Sequence, residues 1–144
     1  MIANLAIGGL LVTISIAIHG AGLLTLSALL RRAIRYYEPR LNRQSTMVIM
    51  VGTVLGLFIT HIVEIWTWAL AYLAMGASPS LDHALIFSTL SFSTLGAEEI
   101  SLPPQWALLG SIEGVAGFLL IGWSTAYLIP AWTRYGPFHG DRQF

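Results

Sequence analysis

The chain has no cysteine and no lysine, and it carries only seven arginines and seven acidic residues in 144 positions. The missing cysteine excludes disulfides, thiolate metal sites and thiol chemistry, and says nothing about compartment. Charged residues make up 10% of the sequence, against about 25% in soluble domains, so there is too little polar surface to clothe a soluble fold. A long polar stretch is also lacking. The longest, 31–45, leaves no room for a separate soluble domain. The N-terminus has no basic leader, and the apolar run after it is too long for an ordinary signal peptide, so a retained segment is expected there. No motif implies a cofactor, and no charge pattern implies a nucleic-acid partner.

Hydrophobic residues make up 56% of the chain, and the mean hydropathy is +0.73. Residues 2–30, 46–75 and 106–129 each exceed the roughly 18 apolar residues that mark a membrane span. The expected fold is an all-α membrane protein with three transmembrane helices. The arginines divide unevenly. Arg31, Arg32, Arg35, Arg40 and Arg43 lie between the first two spans, and Arg134 and Arg142 follow the third. The segment between spans two and three has none. Short Arg-rich loops stay cytoplasmic. The N-terminus is therefore expected outside and the C-terminus in the cytoplasm, in a bacterial inner membrane. The basic loop reads as an anchor on anionic membrane lipid. Tyr36 and Tyr37 extend the first helix toward the headgroups, and Pro39 ends it.

Small residues in the first span (Gly8, Gly9, Gly20, Ala21, Gly22) suit close helix packing. His19, its one ionisable residue, has no partner within a helical turn and reads as a hydrogen-bonded packing residue. Ser45 or Thr46 is placed to cap the second span. Trp66, Trp68 and Tyr72 near its far end read as markers of the outer interface. His61 and Glu64 share a helix face, and a buried acid in a span must face protein or water. The pair is expected to be a structural hydrogen bond. Two ligands are too few for a metal site. Pro130 is expected to end the third span.

Between spans two and three, Ser/Thr-rich residues 84–99 (ALIFSTLSFSTLGAEE) stop at Gly96 and turn into Glu98 and Glu99. Residues 81–92 predict a helix of three turns, too short to cross, with Asp82 complementing its dipole. Its C-terminal end presents partial negative charge and favours cations at Ser93, Thr94 and Leu95. A half-length helix followed by irregular backbone is the layout of a re-entrant pore loop, tolerated only where protein surrounds it or water fills the cavity it lines.

These residues resemble bacterial potassium-channel-like proteins of the two-transmembrane, pore-loop class. Thr94-Leu95-Gly96-Ala97-Glu98-Glu99 stands where that family has TVGYGD. Residues 84–94 look like its pore helix, 104–128 like its inner helix, and 61–69 (HIVEIWTWA) like its outer helix. The resemblance covers about 46–130 and implies a pore domain there. Residues 1–45 would be an added helix with a basic loop, and 131–144 a short tail. It further implies a tetrameric cation channel and no enzyme. Thr94, Leu95, Gly96, Ala97, Glu98 and Glu99 would form the filter, and Ser93, His61, Glu64 and Glu113 would support it. The family's bracing aromatic is replaced by Ala97, and its second glycine by Glu98. These departures imply a filter not selective for potassium. In a homotetramer Glu98 and Glu99 would form a carboxylate ring able to hold monovalent or divalent cations. The alternative is a non-conducting helical subunit of a larger membrane complex.

Overall fold

The computed structural model describes residues 2–37, 43–96 and 100–135. Among these residues four α-helices occur: α1 (Ile2–Tyr37), α2 (Arg43–Ala74), the short α3 (Leu81–Phe92) and α4 (Ala107–Tyr135), the last led in by a 3-10 turn at Pro104–Trp106. Among the described residues there is no strand. Three helices, α1, α2 and α4, are long and apolar enough to cross a membrane. In hydrocarbon a backbone must satisfy its hydrogen bonds internally, which a continuous helix does.

The long helices pack in constant register. Along α1 and α2, which run antiparallel, Ser15 meets Trp68 and His19 meets Glu64. Next along the seam, Gly22 meets Thr60 and Gly56 meets Leu26. Each glycine lets the facing side chain lie against backbone: a Cβ on Gly22 would stand 2.6 Å from Thr60 Oγ1, and one on Gly56 2.6 Å from Leu26 Cδ1. α4 runs parallel to α1. The Asn4 side-chain amide donates to the Gln105 carbonyl at one end (2.5 Å), and Ser27 and Tyr127 share a hydrogen bond at the other (2.9 Å). With lipid offering no contrast in polarity, such close contacts and interhelical hydrogen bonds are what hold the helices together.

Short α3 lies in the wedge between α2 and α4. Ser80 caps it, its hydroxyl accepting from the His83 backbone N–H, and Asp82 sits in its first turn. Ser91 Oγ donates to the Gly110 carbonyl of α4 (2.7 Å). Phe87 lies over Gly110, and the Phe92 carbonyl lies where a Cβ on Gly117 would be. The main core gathers here around Trp68, Tyr72, Ala84, Phe87, Leu102 and Leu109.

Several expectations need correction. α2 begins at Arg43, so Ser45 and Thr46 lie inside its first turn and are not its cap. Pro130 lies within α4, which continues to Tyr135; a proline forfeits one backbone donor, which helices of this kind tolerate when neighbours re-satisfy the freed carbonyl. Trp68 and Tyr72 are fully buried. They are not interface markers, because each points a polar tip at a buried partner on another helix. Among the described residues Gly9 and Gly20 have no atom within reach of an added Cβ, whereas Gly8 lies against Ile112 and Gly22 against Thr60, so of these glycines Gly8 and Gly22 serve close contacts between helices. α1 is helical through Tyr37; Pro39 lies outside the described residues.

Candidate functional site

Two buried polar clusters and the end of α3 stand out. The first cluster joins three helices. Glu64, fully buried on α2, meets His19 Nδ1 of α1 through Oε1 at 3.0 Å and His61 Nδ1 of its own helix through Oε2 at 2.8 Å. An ionised Glu64 would only accept, and each imidazole would then present its Nδ1–H to it. The other nitrogen of His61 lies 3.0 Å from Ser124 Oγ of α4. The other nitrogen of His19 is buried with no hydrogen-bond partner among the described residues. The rings stack loosely: His19 lies 5.3 Å from His61 and 5.1 Å from Trp123, centroid to centroid. His61 also stands 5.5 Å from the Phe92 ring, the last residue of α3. Ligand-capable atoms of His19, His61 and Glu64 all lie within 4.8 Å of one another.

The second cluster ties α3 to both neighbours. Tyr72 Oη of α2 donates to Glu113 Oε2 of α4 at 2.6 Å. Ser88 Oγ of α3 makes a short contact with Glu113 Oε1 and lies 3.0 Å from the Ile65 carbonyl of α2. Glu113, Tyr72 and Ser88 are all fully buried. Beside them, Trp68 Nε1 donates to Ser15 Oγ across the α1–α2 seam (3.0 Å).

At its C-terminal end α3 closes in a double turn. The Thr94 N–H bonds the Ser91 carbonyl (3.0 Å), and the Leu95 N–H reaches back to the Leu90 carbonyl (3.1 Å). This is the Schellman arrangement, which needs a left-handed residue at its first position and normally finds glycine there. Here Thr94 takes it, at φ 61°. A β-branched residue at positive φ is strained. Gly96 follows at φ 83°, where the missing Cβ makes that conformation free of strain. Ser93 is the last right-handed residue, its N–H bonded to the Thr89 carbonyl (3.0 Å). Thr94, Leu95 and Gly96 are exposed, Leu95 by 78%.

The residues singled out from the sequence thus fall into separate places. His61 and Glu64 are joined, and His19 joins them. Glu113 meets neither; it holds the Ser88 side chain of α3, and Tyr72. Ser93, Thr94, Leu95 and Gly96 form the exposed end of α3. Ala97, Glu98 and Glu99 lie outside the described residues. Ser124, Tyr72 and Ser88 were missed as site residues. The signal for His19 was present: it is the ionisable group deep in the first span as His61 and Glu64 are in the second, and such groups seek each other.

Comparison with family models, with curated proteins and with solved structures finds no match for this chain.

Proposed function

We propose that the chain is one subunit of a tetrameric, potassium-channel-like cation channel, with α3 as its pore helix and residues 94–99 as an altered filter. The observation that carries this reading is the place where α3 stops. At 12 residues and ~1.5 Å per residue it is about 18 Å long, against a hydrocarbon core of ~30 Å. It ends beside His61 and Gly117, well inside the lengths of α2 and α4. Exposed non-helical backbone at such a depth is compatible with a bilayer only if other protein covers it or it borders water. Identical copies around a shared axis satisfy both conditions.

The mechanism follows from charge. The helix end directs partial negative charge at the axis and favours a cation just beyond it. Carbonyls of 94–96 and the Thr94 hydroxyl supply oxygen ligands, and Glu98 and Glu99 concentrate cations at the mouth. Carboxylates crowded in one ring repel one another unless cations sit among them, and hard cations suit such oxygen sites. The Glu113–Ser88 contact holds α3 in place from behind, without touching the ion. The apolar residues of α4 would line a cavity toward the cytoplasm. N-terminus out and C-terminus in is the orientation that the arginines favour.

The test is flux of potassium, sodium and calcium through purified protein in liposomes, with particle symmetry measured in mild detergent. A fourfold particle is expected, with cation flux that falls at least several-fold in the Glu98→Gln, Glu99→Gln double variant. A particle holding a single copy beside other chains, with no flux, would replace the channel by a docking subunit.

A further inference from the structure

We propose that His19, His61 and Glu64 form a buried binding site for one divalent transition-metal ion of the zinc class. Two imidazoles and a carboxylate are the donors that zinc and its first-row neighbours take, and three protein ligands with a water in the fourth position is a common zinc arrangement. The three groups come from two helices, and their ligand atoms already lie within 4.8 Å of one another. The present hydrogen bonds, 3.0 and 2.8 Å, are within a few tenths of an ångström of the ~3.3 Å that separates two ligands on a tetrahedral ion with bonds of ~2.0–2.1 Å. The widest separation among the three, up to 4.8 Å, must close by about 1.5 Å for one ion to take the place of the shared protons.

Two further observations favour a ligand over simple packing. Among the described residues the Glu64 carboxyl is met by two imidazoles and by no lysine or arginine, so a divalent cation would supply the counter-charge that an ionised carboxylate at this depth needs. Second, Ser124 stands at His61 Nε2 (3.0 Å), the kind of outer hydrogen bond that orients a metal-bound imidazole. Entry is by way of His61, whose side chain is 16% exposed while that of Glu64 is 0%. On binding, each ligating imidazole moves its proton from Nδ1 to Nε2; for His61 that proton then points at Ser124 Oγ. The site belongs to one chain and would form in a monomer as well as in a tetramer.

The experiment uses tag-free full-length protein in mild detergent, stripped with a chelator and titrated with cobalt(II). One cobalt per chain is expected, with the visible absorption of a four-coordinate site, and an equivalent of zinc should abolish that absorption. His19→Asn should weaken binding by about a hundredfold or more, since removing even an outer hydrogen bond costs 10–100-fold. Glu64→Gln keeps an oxygen acceptor for one imidazole while removing the charge, and should also lose the ion; it gives the reading if His19→Asn does not fold. His83→Asn, at the start of α3, should bind like the parent. No cobalt absorption and no retained zinc in the parent protein would overturn the proposal. So would undiminished binding in Glu64→Gln, or a loss confined to His83→Asn. Flux measurements do not enter, so failure here is distinct from failure of the channel reading.

Discussion

Tyr72 shows how much a single hydroxyl carries in this interior. It donates to a carboxylate that is itself fully buried, and removing a donor from a buried acceptor costs more than the bond alone was worth. Tyr72→Phe should lower stability by about 1–2 kcal/mol, within the range of hydrogen bonds between membrane helices and of the cost of leaving a buried acceptor unpaired. Reversible unfolding in mixed micelles would measure it, and an unchanged midpoint would show that Glu113 is held by Ser88 alone. Glycines divide just as sharply. A Cβ on Gly117 would collide with the Phe92 backbone, whereas one on Gly122 meets no atom within 4 Å. Gly117→Ala must displace α3 or α4 and should cost about 2–4 kcal/mol. Gly122→Ala should be neutral or gain up to ~1 kcal/mol from helix propensity. The two variants, compared in the same unfolding assay, separate packing from propensity.

At the scale of the element, α3 is the informative one. Its beginning is written in the sequence: Ser80 caps, Asp82 sits in the first turn, and the helix spans Leu81–Phe92, the same residues the local pattern predicts. Its end is less ordinary. Glycine is the usual residue at the left-handed position of a Schellman turn, and a glycine stands nearby at 96, yet Thr94 occupies the position. Strain of this type amounts to about 1–2 kcal/mol and persists where surrounding structure or function requires the residue. Thr94→Gly should therefore stabilise the isolated subunit by about 1 kcal/mol while lowering cation flux, because it deletes the hydroxyl. A variant that gains stability and keeps full flux would show that the threonine has no part in conduction.

At the scale of the whole molecule, the pattern of exposure decides what can surround the chain. Large apolar side chains such as Phe58 and Phe118 are exposed on α2 and α4; lipid or another helix must cover them. Leu95 is exposed as well, but it sits on non-helical backbone beside a helix end. Because the chain has no cysteine, a single Leu95→Cys substitution puts one thiol in each subunit. If α3 ends face a common axis, mild oxidation or a short thiol cross-linker should give a covalent dimer within minutes. A chain that stays monomeric under those conditions would place the α3 ends apart from one another.

Much of this protein was decided locally. Long apolar runs, scarce charge and arginines confined to two places determine three membrane-length helices, since a backbone in hydrocarbon has few other options. The extent of the short helix was equally legible, because length and the Asp82 first turn are local properties; its cap, Ser80, was not read from the sequence. What the sequence could not determine was which polar side chains meet. His19 has no partner within a turn, and its partner Glu64 lies 45 residues away on an antiparallel helix. Trp68 and Tyr72 look like interface aromatics until the rotation of α2 turns them inward onto Ser15 and Glu113. Helix rotation and depth are set by close contacts at Gly22, Gly56, Gly110 and Gly117, summed over several helices at once. A buried acid must find partners somewhere, but only the packing of whole helices says where.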